Sequence, residues 1–136
     1  MVGSLIVAAA RITFALSPLQ GIGTGRLVRK PLLTADIASP KVSSRVEVKQ
    51  LDFRPLQTTG VHIHPLPVVG YISKGEITFQ VEGQPARTLY AGDACFEPAN
   101  VKILHFDNPS ARDGATYIAF YIMGEDDREV IHMVNP

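Results

Sequence analysis

Two histidines standing two residues apart, His62 and His64, are spaced to grip one metal ion. The β-branched, alternating residues that follow, as far as Gly83, favour strand over helix. On a strand, positions i and i+2 share a face, so both imidazoles point the same way, about 7 Å apart at Cα for a rise of ~3.3 Å per residue. A lone histidine is most often a satisfied core or surface residue. Two on one face beside the Pro-rich turn at residues 65–67 shift the balance toward ligation of a divalent ion. The remaining chemistry-bearing residues read differently. Cys95, the single cysteine, sits in the apolar run ACF as a small buried hydrophobe and can form no intrachain disulfide. His132 in EVIHMV is read as structural, and the charge run GEDDRE at 124–129 as a solvated loop. The Gly-rich GIGTGR at 21–26 lacks both a following helix pattern and a Lys-Ser/Thr ending, which excludes a phosphate loop.

The elements that must position the pair are short strands. With 136 residues the chain fits one domain, able to bury about two thirds of its extended surface. Thirteen basic and thirteen acidic side chains cancel, which argues against a nucleic-acid partner. From Val42 onward, SRVEVKQLDF, VVGYIS, EITFQVEG, ARTLY, ACFEP, KILHF, ATYIAFYIM and EVIHMV read as strands with turn signals between them. EITFQVEG alternates most cleanly, with Ile77, Phe79 and Val81 on the buried face. Many short strands without a helical period predict an all-β antiparallel barrel or sandwich.

Residues 1–30 read as an apolar N-terminal arm with a Gly-rich linker, and 31–136 as the barrel domain. The first acidic residue is Asp36, so the start is acid-poor and weakly resembles a targeting segment. No transmembrane helix is expected, because the apolar run 5–16 is interrupted by Arg11 and too short to span a bilayer; the compartment is left open, with the cytoplasm favoured. An apolar arm is well placed to lie across a second copy, so a homodimer is expected.

The stretch 60–83 resembles the first motif of the cupin superfamily, in which His, one residue, His, three residues, Glu, six residues and Gly follow in order. His62, His64 and Gly75 fall on it, and Val68 stands where the family has its Glu. GDACFEPANVKILHFDNPS resembles the second motif: Gly92 and Pro98 fit, and Asn100 replaces the second Gly with a residue that tolerates a left-handed backbone. Ile103 holds the His position, the histidine comes two residues later as His105, and Asn108 comes one residue late. The resemblance covers about residues 42–125. It implies a cupin-type double-stranded β-helix, or jelly roll, carrying a three-histidine centre of His62, His64 and His105 without the carboxylate. A two-residue shift keeps His105 on the inner face, with the turn at 100–104 expected to absorb the displacement along the strand, and the lag at Asn108 is what a bulge leaves behind.

In that centre Val68 would wall the pocket. Glu97 is a possible replacement ligand whose ordinary role is solvent-facing, and Tyr71 is a possible substrate donor that alternation turns away from the metal. The resemblance implies a divalent metal, Fe, Mn or Zn, and a small organic substrate. Oxidative, dioxygenase-like chemistry leads. A non-redox lyase or isomerase and a non-catalytic ligand-binding or structural cupin are the alternatives.

Overall fold

The computed structural model describes residues 25–134. The apolar run 5–16 and most of the Gly-rich loop lie outside them.

Nine antiparallel strands form two sheets, with no helix among the described residues. They are β1 (Arg45–Phe53), β2 (His62–Ile63), β3 (Val68–Lys74), β4 (Glu76–Val81), β5 (Arg87–Tyr90), β6 (Ala94–Glu97), β7 (Lys102–Asp107), β8 (Ala115–Met123) and β9 (His132–Met133). One sheet has the order β1-β8-β3-β6 and the other β5-β4-β7-β2-β9, so apart from the β4–β5 hairpin neighbours in sequence lie in different sheets and wrap the core between them. The predicted run SRVEVKQLDF is one continuous strand, β1, from Arg45 to Phe53.

The alternation read from the sequence is the alternation observed. Ile77, Phe79 and Val81 of β4 are buried between half-buried polar neighbours. β8 turns Tyr117, Ala119, Tyr121 and Met123 inward in the same way. β3 and β4 are joined through Gly75, whose φ of 75° lies in the left-handed region; a Cβ there would stand 2.7 Å from the Gly114 carbonyl oxygen. Asn100 has φ 62°, the conformation expected of it, and its N–H donates to the His64 carbonyl at 2.7 Å, tying the β6–β7 turn to the histidine strand.

Candidate metal centre

His62 and His64 are both buried, at 3% exposure each, and both face inward as period-2 geometry requires. His62 opens β2, and the chain leaves the sheet directly after Ile63, so the rings are not parallel: their centroids lie 5.0 Å apart at 81°. Each ring is fixed by a backbone carbonyl. His62 Nδ1–H donates to Gly60 at 2.9 Å, and His64 Nδ1–H donates to Val130, in the segment that leads into β9. A carbonyl can only accept, so both protons sit on Nδ1 and both Nε2 atoms are left to face the interior.

What they face is Glu97. Its Oε2 lies 3.1 Å from His64 Nε2 and 3.5 Å from His62 Nε2, and its Oε1 accepts a 2.8 Å hydrogen bond from the Tyr117 hydroxyl. Glu97 is 2% exposed, which corrects the expectation of a solvent-facing side chain. The reason is alternation along β6: Cys95 and Glu97 share a face, and that face is the interior. Cross-strand pairing sets Glu97 directly opposite Val68. The carboxylate missing from position 68 is therefore supplied by the adjacent strand, onto the same patch of the inner wall. Val68 is itself buried at 1% exposure and is not among the residues that line the cavity over the histidines.

His105 does not join the group. Its side chain is about half exposed and its Nδ1 lies 2.8 Å from Asp107 Oδ2. The cause is a bulge: Val81 pairs with Ile103 while Gln80 pairs with His105, so Leu104 is the extra residue in β7. One extra residue reverses the alternation. Ile103 and Phe106 point in and His105 points out. The lag at Asn108 signalled this bulge; the extra residue falls at Leu104, inside β7, where it turns His105 outward instead of letting the 100–104 turn absorb the shift. Tyr71 lies on the outer face of β3 at 36% exposure, away from the site, and His132 is exposed beside Glu129.

Two residues outside the sequence-derived site complete it. Tyr117 and Tyr121 project from β8, and the Tyr117 ring has room only because residue 70 is glycine: a Cβ there would lie 1.9 Å from the ring. The alternation in ATYIAFYIM was the available signal for both. Together with Leu51, Thr59, Phe106 and Ile131 they bound a cavity of about 40 Å³ over the His and Glu side chains. One water needs about 10–15 Å³ of such space, so an ion with two or three waters fills it.

The electrostatics follow from burial and from the Glu97 charge. Burial would raise the Glu97 carboxyl, but hydrogen bonds from His62, His64 and Tyr117 and the His64 charge reverse the direction and hold it at about 2. Burial opposes a charged His64, yet its bond to Glu97, the Glu97 charge and the Val130 carbonyl outweigh that and raise it. Burial first, then the Glu97 charge, push the Tyr117 phenol well above its ordinary range and Tyr121 up to about 12. Burial also lifts the Cys95 thiol to about 12, as expected of a packed, unreactive cysteine.

Three acceptors converge here: two Nε2 lone pairs and one carboxylate oxygen. Such a cluster needs shared protons or a cation between its members. The donor atoms of His62, His64 and Glu97 lie within 4.8 Å of one another. Ligands held about 2.1 Å from one ion are themselves about 3.0–3.4 Å apart, so the observed 3.1 and 3.5 Å fit a shared cation. The residues present suit a divalent first-row metal.

No family model and no curated protein matches this chain. Solved structures do. A cupin-like protein from Thermotoga maritima aligns over 65% of this chain and 64% of its own, at 24% identity and a TM-score of 0.56. A DMSP lyase from Ruegeria pomeroyi aligns over 65% and 42%, at 19% identity and a TM-score of 0.55. An RmlC-like cupin from Shewanella frigidimarina aligns over 60% and 68%, at 25% identity and a TM-score of 0.51. The chain spans less than two thirds of the length of the first two. The wrapped pair of antiparallel sheets is the fold that this chain shares with these cupin structures.

Proposed function

We propose that this chain is a metal-dependent enzyme acting on a small organic molecule, with His62, His64 and Glu97 as the metal ligands. The observation that carries this reading is the convergence of two carbonyl-anchored imidazoles and one depressed carboxylate on a single point in a closed interior. Two histidines and one carboxylate with positions left open form a ligand set used by non-haem iron oxygenases, so oxidative chemistry remains the leading reaction class. A bound divalent metal would supply Lewis-acid polarisation of a substrate oxygen and, if it is iron, electrons for dioxygen chemistry.

The rest is done by the chain. Gly60 and Val130 hold the ring orientations; Tyr117 ties down Oε1 of Glu97 and so presents Oε2 alone to the site. Leu51 and Phe106 give the site an apolar lining, with the exposed Ile131 at its rim. Because the cavity is small, a substrate larger than a few atoms must displace the Ile131 side of the wall.

A non-redox lyase or isomerase is the second reading, favoured by Tyr121. Its phenol borders the cavity and stays protonated at neutral pH, able to donate a proton or a hydrogen bond to a substrate oxygen. The DMSP lyase among the structural neighbours is compatible with this class of chemistry.

The test is metal analysis of protein purified without an affinity tag, followed by oxygen-electrode measurements with iron-loaded protein and small oxygen-rich substrates. Bound metal that is lost in His64→Ala, with substrate-dependent oxygen uptake, is the expected result. Turnover without oxygen uptake selects the second reading. Protein that neither carries nor takes up a divalent metal overturns both and favours a non-catalytic cupin.

A further inference from the structure

The edge strand β1 carries charge on its inner face. Its inward positions are Arg45, Glu47, Lys49, Leu51 and Phe53; they are exposed or half-buried as far as Leu51 and fully buried only at Phe53. Cross-strand register sets Glu47 opposite Tyr121, and the same row continues through Val68 to Glu97 on β6. Lys49 stands in the next inward row, opposite the small, buried Ala119, which leaves its stem room to lie along the wall. Arg45 is committed elsewhere, its guanidinium lying 3.6 Å from Met123 Sδ and 3.5 Å from the Asp127 carbonyl oxygen.

Lys49 is the cation that reaches the mouth of the site. Its Nζ stands 5.3 Å from the centroid of the Tyr121 ring and 3.0 Å from Glu47 Oε1. The Tyr121 ring is in turn 6.1 Å from the His64 ring and, with Leu51, borders the cavity over His62, His64 and Glu97. One tyrosine ring therefore separates an ammonium group from the histidines. The cavity is too small for more than one end of an organic molecule, so the other end lies outside it, at the rim that Tyr121 and Leu51 share with Lys49. Attraction to the ring face and to Glu47 holds Nζ at that rim. Glu47 takes one of the three ammonium donors and two remain for a ligand.

We propose that Lys49 recognises the substrate and that the substrate is a short-chain monocarboxylate: its carboxylate accepts from the remaining donors of the Lys49 ammonium at the mouth, while its other end enters the cavity. The assignment rests on reading His62, His64 and Glu97 as the reacting site. Charge selects the class. A single carboxylate matches one ammonium, whereas a dianion such as phosphate would hold its second charge against Glu47 and would lack the arginine fork that suits phosphate oxygens. An uncharged substrate would leave both donors to water. Glu47 is thus a positioning residue for Lys49, and Lys49 is the residue that touches the substrate.

Titration of the full chain with butyrate, butyramide and inorganic phosphate, followed by nuclear magnetic resonance on metal-free and on Zn(II)-loaded protein, tests this. Butyrate should bind at least about tenfold more tightly than butyramide or phosphate, the effect of one charge-assisted hydrogen bond. Lys49→Met keeps the stem and removes the charge; it should lose about tenfold in butyrate affinity and leave Zn(II) affinity unchanged. Lys49→Arg should retain butyrate binding, which a role in packing alone does not predict, and Glu47→Gln should bind phosphate more tightly than wild type. Equal affinity for butyrate and butyramide, or butyrate binding indifferent to Lys49→Met, overturns the proposal. Zn(II) uptake without saturable butyrate binding overturns it while sparing the metal reading. A wild type that takes up no Zn(II) yet selects butyrate through Lys49 removes the metal reading and supports carboxylate recognition at this mouth.

Discussion

At Glu97 a buried carboxylate holds its charge because the His62, His64 and Tyr117 side chains around it are aimed to stabilise that charge. Two imidazole edges share Oε2 and a phenol occupies Oε1. Removing the charge alone is therefore informative. Glu97→Gln keeps the volume, still accepts from Tyr117 and withdraws the anionic ligand. Affinity for Zn(II) or Mn(II), measured by calorimetric titration, should fall at least about 10–100-fold while the fold is retained. Unchanged affinity would remove Glu97 from the ligand set.

At the element scale, β7 decides which residue faces the histidines. Its bulge at Leu104 places Ile103 opposite His62, buried at 0% exposure, and sends His105 to the surface. His105→Ala should accordingly leave metal affinity within about twofold of wild type, since an exposed pair of this kind contributes little. Ile103→His should raise affinity, because it restores a histidine where the family pattern has one. β3 and β6 make the reciprocal case. Val68 and Glu97 are direct cross-strand partners, so Val68→Glu sets two carboxylates side by side in the interior. Without metal this should destabilise by several kcal/mol, read as a drop in melting temperature. A divalent ion should recover most of the loss, and failure of every metal to do so would argue against a cation site at this wall.

For the whole molecule, the site links the three parts of the fold that leave and re-enter the barrel: the turn before β2, the strand β6 and the segment before β9. Its charges thus set the pH range of the fold. Glu97 has a folded value below its ordinary 4.5, so its contribution is full above about 4.5 and is lost as pH falls toward 2. His64 has a folded value above its ordinary 6.5, so its contribution is full below 6.5 and fades as pH rises through the folded value. Metal-free protein should therefore gain most from this pair between about pH 4.5 and 6.5. Saturating Zn(II) should abolish the alkaline decline, because the ion holds the rings in their deprotonated form. Thermal melts across pH with and without metal measure this directly.

The strands, their buried faces and the inward aim of His62 and His64 follow from local alternation, which is why they were legible in the chain alone. So was Asn100 in its left-handed turn, a property of one residue and its neighbours. His105 and Glu97 were decided by tertiary structure. A single bulged residue reverses every face beyond it, and only pairing with β4 locates that residue at Leu104. The depth of Glu97 follows from alternation with Cys95, but its nearness to histidines 33 and 35 positions earlier depends on β6 pairing with β3 beside β2's own sheet. A motif written along one strand cannot show that its missing carboxylate stands on the next, because cross-strand neighbours are remote in sequence and only the closed barrel brings them together.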